Sequence, residues 1–403
     1  MSGMPPDDAA GPGRPLPLPR RGFLRALGGA GLGVTALGAA LSACSAQDLV
    51  PVPLARAADL SRTEPVVRFA NWFQYVDTVP GNPPRHPTLE QFTRQTGIVV
   101  DYSEPITADE QFVGEIGISL AMGWVPGYDL VVLTDWVVAE LIQLGWAQPL
   151  SPALLANGSR LLPKFRDWPV PDVRRYSLPW QCGFTGIVYN LAVTHRPVTS
   201  MTDLLTSPDL RGKVSLPTDY QDVVELVMLD IGINPATFTD REFGAALAVL
   251  NRAVQAGQIT MVTNYYGPDL LKGTIAASVG WAGDVLYFRE QDPDIYFTWP
   301  KAGGYIWSDN MVIPARARHT ENAERLMNFY YEPDIAAQLS MYERYMCPVL
   351  GTQDAMRRLD PGLADEKYIF PTPGLLDSGH FFKILTPQQN SGYTASYQNI
   401  VGL

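Results

Sequence analysis

The feature that most restricts the fold is an alternation of short apolar segments with helical ones. Residues 128–133 are largely apolar and β-branched, as expected of a strand covered on both faces. The chain then passes through Thr134, Asp135 and Trp136 into a helical pattern that ends before Gly145. Strands that alternate with helices indicate an α/β fold with doubly wound sheets. Such sheets bind ligands beyond the carboxyl ends of their strands.

The same alternation occurs along most of the chain, whose 403 residues allow about two domains. The composition is 46% hydrophobic and 18% charged, which is typical of a globular protein. The glycine-containing run at 179–190 is rich in β-forming residues. We interpret it as a strand that passes from one half of the molecule to the other.

The N-terminal residues predict export rather than folded structure. Arg20 and Arg21 belong to a twin-arginine signal, and an apolar stretch follows at 26–41. This stretch is short for a membrane-spanning helix, the alternative interpretation. It ends in a sequence that resembles a bacterial lipobox, which predicts a lipid on Cys44 after removal of residues 1–43. Residues 44–63 then form a tether, so we expect a lipid-anchored protein at the outer face of the cytoplasmic membrane or in the periplasm.

Charge and motifs exclude several classes of function. The formal net charge is −11, which disfavours nucleic acid as a partner and favours a cationic ligand. The four histidines lack metal-ligand spacing, and no nucleophile elbow, P-loop or dinucleotide motif is present. Asp219 and Asp222 could form an acid/base pair, but two acids one turn apart flank a scissile bond poorly. We therefore expect neither an enzyme nor a bound metal or cofactor.

An indole and a carboxylate stand two residues apart at Trp307 and Asp309. In an extended segment both side chains point to the same face. An aromatic face beside an anion suits an organic cation. The alternative is a buried tryptophan next to an aspartate that faces solvent.

Similar pairings of acids and aromatic residues recur at other predicted strand ends and turns. Asp219 and Asp222 open a helix, where they bind an ammonium group, form an N-terminal cap, or do both. Each aromatic residue could instead belong to the core. The candidate aromatic residues are Trp72, Tyr75, Trp136, Trp281, Trp307 and Tyr345.

Besides Cys44, the chain contains two cysteines, Cys182 and Cys347. Outside the cytoplasm such a pair can be oxidised to a disulfide. Two buried, inert thiols are the alternative.

From about residue 66 to beyond Tyr345, the chain resembles the periplasmic spermidine/putrescine-binding proteins of ABC importers. The runs that carry the resemblance are residues 71–75, 128–132, 218–219 with Asp222, 299–304, 307–309 and 313–314. The strand pattern is shared by the wider solute-binding superfamily, whereas the aromatic and acidic positions are more specific to polyamine binders. Aspartate at 222 and tryptophan at 136 depart from the family's common glutamate and tyrosine. Asp135 is an additional acid whose direction the sequence leaves open.

The resemblance implies a role for each candidate residue. Asp219, Asp222 and Asp309 would bind amino groups, and the aromatic rings would pack on the methylene chain. The implied ligand-binding set is Trp72, Tyr75, Thr134, Trp136, Asp219, Asp222, Trp281, Trp307, Asp309 and Tyr345. Gln388 and Gln389 are weak candidates for a late glutamine of the family.

The resemblance also implies a two-lobed periplasmic-binding-protein fold, with two doubly wound sheets joined by crossing hinge segments. The first lobe would comprise 64–184 and 308–353, and the second 185–307 and 354–403. The implied function is capture of a polyamine by hinge closure and delivery to an ABC permease and ATPase complex by a monomer. Another organic cation, such as a quaternary ammonium compound or basic amino acid, and a sensory lipoprotein without a permease remain alternatives. Whether the amine is spermidine or putrescine stays open.

Overall fold

The computed structural model describes residues 54–167 and 172–403. The predicted signal segment, Cys44 and the first part of the tether lie outside these residues. Ten strands of the described part form one hydrogen-bonded sheet. They are β1 (Val66–Trp72), β2 (Val99–Ile106), β3 (Leu130–Thr134), β4 (Ser177–Asn190), β5 (Val214–Leu216), β6 (Ile259–Val262), β7 (Ala277–Trp281), β8 (Ile295–Thr298), β9 (Gly304–Val312) and β10 (Gly379–His380).

Helices connect these strands and cover the sheet, as the alternating pattern predicts. They are α1 (Pro87–Thr96), α2 (Asp109–Ala121), α3 (Asp135–Gln143), α4 (Pro163–Arg166), α5 (Val173–Tyr176), α6 (Leu191–Thr194), α7 (Met201–Thr206), α8 (Tyr220–Asp230), α9 (Asp240–Gln255), α10 (Gly267–Leu271), α11 (Ala282–Phe288), α12 (Thr320–Tyr330), α13 (Pro333–Glu343), α14 (Thr352–Leu359), α15 (Pro361–Ala364), α16 (Pro373–Asp377) and α17 (Pro387–Val401). Short 3₁₀ segments occupy Ala156–Arg160 and Pro208–Leu210. Within the described residues, no helix combines the length and hydropathy that crossing a bilayer requires.

Local sequence explains where several of these elements begin and end. Helix α1 starts with Pro87, whose missing amide costs nothing in the first turn, and stops at Gly97, which adopts the left-handed conformation. Thr239 and Glu242 form a reciprocal cap at the start of α9. Strand β3 is buried along its whole length, in agreement with its apolar sequence.

The strand order, β2-β1-β3-β9-β4-β7-β5-β6, divides the sheet into two parallel halves. Strand β1 pairs in parallel with β2 and β3 in the first half, and β5 pairs in parallel with β6 and β7 in the second. Strands β9 and β4 lie between the halves and pair with each other and with their neighbours in antiparallel fashion. This arrangement confirms the α/β architecture.

Two long strands join the halves, which confirms the predicted crossing segments. Strand β4 pairs with β9 from Ser177 and with β7 as far as Tyr189. Strand β9 runs in the reverse direction and pairs with β3 near its end. Both strands are long enough to pair with strands of each half. They therefore join the two predicted sheets into one continuous sheet.

Buried apolar side chains form two large clusters, one in each half. The first surrounds β1 and β3, and the second surrounds β5 and β7. A small third cluster joins Ala337 of α13 to α14 and α15 through Met356 and Ala364. The segment after residue 353 therefore packs against α13 where it begins. The predicted lobe boundaries stay predictions.

The last part of the predicted tether lies against the first half of the molecule. The Leu60 amide donates to the Arg318 carbonyl at 2.7 Å, and Asp59 Oδ2 accepts from the Glu321 amide at 3.1 Å. The folded part of the chain therefore begins before β1.

Candidate functional site

The candidate residues gather at one edge of the sheet, where parallel strands of both halves end. Strand β1 ends at Trp72, β3 at Thr134 and β7 at Trp281. Strand β5 is followed by Asp219, at the start of α8. This is the edge at which doubly wound sheets bind ligands.

Strand β9 brings Trp307 and Asp309 to this edge, and both side chains are buried. The indole lies over Gly183 of β4, where a Cβ atom would stand 2.1 Å from the ring. Trp307 Nε1 is buried and has no hydrogen-bond partner among the described residues. The absence of a side chain at 183 is therefore what allows the indole to lie flat against β4.

The Asp309 carboxylate is tied to the first half of the molecule. The Tyr75 hydroxyl donates to Asp309 Oδ2 at 2.6 Å, and Thr134 is the register partner of Asp309 across the β3–β9 ladder. Asp309 is 5% exposed, so the alternative of a solvent-facing aspartate is wrong. Tyr75, Thr134 and Asp309 thus lie together although they come from three separate stretches of sequence.

Asp135 adds a second buried acid beside Asp309. Its Oδ2 accepts a hydrogen bond from the Ser308 amide at 3.3 Å. Burial and, to a smaller extent, the charge of Asp309 raise the pKa of Asp135 to about 7. The Asp135 side chain, whose direction the sequence left open, therefore points towards β9.

Thr134 is held by an acid that the sequence analysis did not identify, Asp109 at the start of α2. The Thr134 hydroxyl donates to Asp109 Oδ2 at 2.7 Å, and its amide donates to Asp109 Oδ1 at 3.2 Å. These bonds fix the turn between β3 and α3. Trp136, two residues after Thr134, is partly exposed and packs against the core of the first half.

Asp222 is the central acid of the second half. Its Oδ1 accepts from the Thr185 hydroxyl at 2.6 Å and lies 3.4 Å from Trp281 Nε1, which donates to it. Since Thr185 belongs to β4, these bonds connect α8, a crossing strand and the end of β7. Asp222 is 2% exposed.

Asp219 precedes α8 and is partly exposed. It makes no side-chain bond to the first turn of the helix, so the alternative of a cap is wrong. Its Oδ2 accepts instead from Asn264 Nδ2 at 3.0 Å. Asp219 therefore lies further from the buried part of the site than Asp222.

Tyr345 connects the end of α13 with the second half of the molecule. Its ring meets that of Trp307 edge-on, with centroids 5.2 Å apart, and its hydroxyl donates to Asp284 Oδ1 at 2.6 Å. Asp284, on α11, also accepts from the Tyr266 hydroxyl at 3.0 Å. Asp284 could not be identified from the sequence, because nothing nearby in the chain marks it as a partner of Tyr345.

Most of the chain matches one protein-family model. Residues 88–356 match the model of bacterial extracellular solute-binding proteins. The chain belongs to this family. This solute-binding protein is 30% identical over 314 residues to the spermidine/putrescine-binding periplasmic protein of Escherichia coli K12, an alignment that covers 78% of this chain and 85% of that one.

Solved structures show the same fold for this solute-binding protein. The substrate-binding protein PotD of a spermidine/putrescine ABC transporter from Streptococcus pneumoniae matches with a TM-score of 0.70 and 20% identity, over 83% of this chain and 98% of that one. The TpPotD lipoprotein of Treponema pallidum matches with a TM-score of 0.70 and 18% identity, over 83% of this chain and 99% of that one. At these identities the likeness concerns the fold alone.

Cys182 and Cys347 of the solute-binding protein lie in neighbouring segments as buried, free thiols. Cys182 and Met346 exchange backbone hydrogen bonds, but Cys347 Sγ is directed to the Val349 carbonyl at 3.9 Å. The two cysteines are therefore free thiols, as the alternative interpretation expects, and do not form the possible disulfide. Burial raises the pKa of both thiols, which keeps them protonated.

The late glutamines of the solute-binding protein lie at the start of α17. The Gln389 side-chain oxygen accepts from the Thr386 amide, and the Gln389 amide donates to the Thr386 hydroxyl. Gln388 is exposed. Gln389 thus stabilises the beginning of a helix, and the structure gives neither residue a place among the buried acids.

Proposed function

We propose that this protein binds a linear polyamine of the spermidine or putrescine type and delivers it to an ABC permease. The observation that carries the proposal is a pair of buried carboxylates from opposite halves, Asp222 and Asp309, each beside a tryptophan. The 30%-identical relative from Escherichia coli is a spermidine/putrescine binder, which supports the same ligand class.

The chemistry of the site favours an ammonium ligand over an anion or a sugar. Buried carboxylates are costly unless a cation or hydrogen-bond donors compensate them. An ammonium group donates charge-assisted hydrogen bonds to such carboxylates, while its methylene chain packs on indole and phenol rings. Trp307 and Tyr345, in edge-to-face contact, provide apolar surface of this kind next to Asp309.

The proposed mechanism is closure of the two halves about β4 and β9, the strands that connect them. Asp309 and Tyr75 would hold one end of the amine in the first half, and Asp222 and Trp281 the other end in the second. Only contacts that are better in the closed form can drive closure. The closed, monomeric protein would then present both halves to the permease.

These residues support binding rather than catalysis. Asp222 accepts from a threonine hydroxyl and an indole, and Asp309 accepts from a tyrosine hydroxyl. Those donors stabilise ionised carboxylates. A carboxylate in this form accepts charge-assisted hydrogen bonds from an ammonium group.

Calorimetric titration of the purified protein with putrescine, spermidine, spermine and glycine betaine tests the ligand class. We expect submillimolar or tighter binding of at least one polyamine and little binding of glycine betaine, which cannot donate hydrogen bonds to carboxylates. Tight binding of glycine betaine with no response to the polyamines would favour the quaternary ammonium alternative. Loss of polyamine uptake after deletion of the cognate permease would separate transport from a purely sensory role.

We also propose export by the twin-arginine route and lipidation of Cys44, on the basis of residues 1–44. Mass spectrometry of the membrane-associated protein should find a diacylated Cys44 as the first residue. The substitution Cys44→Ala should release the protein from the membrane fraction, whereas Cys347→Ala, at a buried thiol, should leave it there. Retention of Cys44→Ala at the membrane would contradict the lipid anchor.

A further inference from the structure

Glu225 is a buried acid that the roles described above do not use. It lies on α8 one turn after Asp222, so the two carboxyls share a face of the helix. Its side chain is 0% exposed, and neither carboxyl oxygen has a hydrogen-bond partner among the described residues. A buried carboxyl without a partner lowers the stability of the fold. Its presence therefore points to a partner that binds from outside the chain.

The charges that act on Glu225 are all negative and come from both halves of the molecule. Asp222 acts from the same helix, and Asp135 acts from α3, on the far side of β9. Strand β9, which packs against α8, carries Asp309. Burial, followed by the charges of Asp222 and Asp135, raises the pKa of Glu225 well above its ordinary value.

The cations near this region do not compensate Glu225. Arg174, the buried arginine on the side of Asp135, donates to Asn310 Oδ1 at 2.7 Å and to the Phe165 carbonyl at 2.8 Å. None of the ion pairs found among the described residues includes Glu225 or Asp135. Among the described residues no cation acts on Glu225, whereas Arg174 partly compensates Asp135. A cation that entered between these two acids would therefore supply the counter-charge that Glu225 lacks.

We propose that Glu225 and Asp135 form an additional acidic subsite that binds one ammonium group of a linear amine, beyond those bound at Asp222 and Asp309. This inference rests on the proposed polyamine function and narrows it to amines with three or more ammonium groups. A diamine would occupy Asp222 and Asp309 and leave the additional pair without a counter-charge. A triamine or tetramine supplies that charge.

The spacing on α8 suits such a ligand. Asp222 and Glu225 are three residues apart, which corresponds to about 4.5 Å along the helix axis. This separation is similar to that of two nitrogens joined by a short methylene chain. Successive carboxyls on one helix face can thus meet successive nitrogens of the same molecule.

The test is calorimetric titration of the wild-type protein and of Glu225→Gln with putrescine, spermidine and spermine. The substitution keeps the size of the side chain and removes its charge. We expect the affinity for spermidine and spermine to fall at least tenfold, and that for putrescine to change less than twofold. An equal loss for all three amines, or no loss for spermidine, would overturn the subsite.

Asp135→Asn provides a second variant from the opposite half, and its amide oxygen can still accept from the Ser308 amide. It should show the same selective loss for the longer amines. Thermal unfolding of each variant checks that it folds. If Glu225→Gln does not fold, the titrations of Asp135→Asn alone decide whether the additional subsite exists. Exposed Asp365→Asn is the matched control and should bind all three amines as the wild type does.

The two levels of the proposal fail in different ways. If the wild-type protein binds none of the three amines, the polyamine function is wrong and the subsite is wrong with it. If the wild type binds them and both variants lose all amines equally, the polyamine function stands and the additional subsite is wrong.

Discussion

Two buried aspartates stand at opposite ends of strand β3 and have contrasting surroundings. Asp129, which precedes the strand, accepts from the amides of Arg68, Arg318 and His319, each at 3.0 Å. His319 Nδ1 lies 2.9 Å from Asp129 Oδ2. Asp135, which follows the strand, accepts from the Ser308 amide at 3.3 Å and from the Trp136 amide. The charge of another acid, Asp309, opposes its ionisation, and the charge of Arg174 favours it.

Burial alone does not distinguish a compensated acid from one that we propose binds an ammonium group, since Asp129 is 2% exposed and Asp135 is 5% exposed. What differs is the supply of donors and cations. The carboxylate of Asp129 is compensated within the fold and joins β1, β3 and the start of α12. The acids at the other edge of the sheet repel one another, and a bound cation would relieve that repulsion.

The largest expected effect follows from removing the compensated acid. Asp129→Ala should lower the free energy of unfolding by about 3–5 kcal/mol, because it leaves three amides and His319 without their acceptor. Denaturant unfolding measures the change, with exposed Asp365→Ala as the control near zero. A loss below about 1 kcal/mol would mean that the contrast between the two ends of β3 is mistaken.

The next effect concerns binding rather than folding. Asp309→Asn should weaken polyamine affinity by about 2 kcal/mol or more, since a buried ammonium loses its counter-charge. The free energy of unfolding should change by less than about 1 kcal/mol, because the amide oxygen can still accept from Tyr75. Calorimetry and denaturant unfolding give the two values. Equal affinities for variant and wild type would remove Asp309 from the site.

A third prediction concerns the surface under Trp307. Gly183→Ala should cost about 1–3 kcal/mol of stability and weaken amine binding, because the new Cβ overlaps the indole. Gly114→Ala is the matched control: nothing lies within 4 Å of its Cβ position in helix α2. We expect this control to stabilise the protein by about 0.5–1 kcal/mol. Similar unfolding midpoints for both variants would show that Trp307 can move without cost.

The smallest expected effect is a change in the stability of the fold with pH. Asp135 has a pKa of about 7 in the folded protein against an ordinary value of 3.8, so between these values the folded state binds more protons than the unfolded one. Stability therefore falls as pH rises towards and through 7. Between pH 6 and pH 8, Asp135 should account for about 1 kcal/mol of this fall.

The measurement is denaturant unfolding of the wild type and Asp135→Asn at pH 6 and pH 8. Asp135→Asn should lose this part of the pH dependence, while Asp365→Asn should retain it. If the wild type and Asp135→Asn lose stability in parallel as the pH rises, Asp135 is not the group that titrates. A bound ammonium would favour the ionised form, so polyamine affinity should rise over the same pH range.

Much of the fold could be predicted because its signals are local. The apolar run before Thr134 corresponds to β3, and the β-rich run with glycines corresponds to the crossing strand β4. Helix α2 and its Asp109 were not predicted, because apolar residues such as the exposed Ile118 lie outside its buried stripe and obscure the helical period. Helix α17 was also missed, because its sequence is largely polar. These omissions concealed the acid that holds Thr134.

The candidate site could be predicted in part, since strand ends and the chemistry of acids and aromatic residues are visible in the sequence. The ligand-contact roles of the ten candidate residues stay predictions. Asp284 and Glu225 could not be selected from other acidic residues, because their neighbours, Tyr345 and Asp135, come from distant parts of the chain. The free state of Cys182 and Cys347 likewise depends on side-chain directions that spacing does not specify.

The amino-acid sequence by itself determined the alternation of strands and helices and the residue types available at strand ends, because both follow from local periodicity and composition. The tertiary structure alone decided which acids are compensated and which repel one another. Asp129 and Asp135 are six residues apart and similarly buried, yet long-range packing gives Asp129 a histidine and three amides. It gives Asp135 one distant amide and one arginine, but also two acids. A carboxyl's energy depends on the charges and donors within a few ångströms, and in a two-lobed sheet those neighbours come from remote segments.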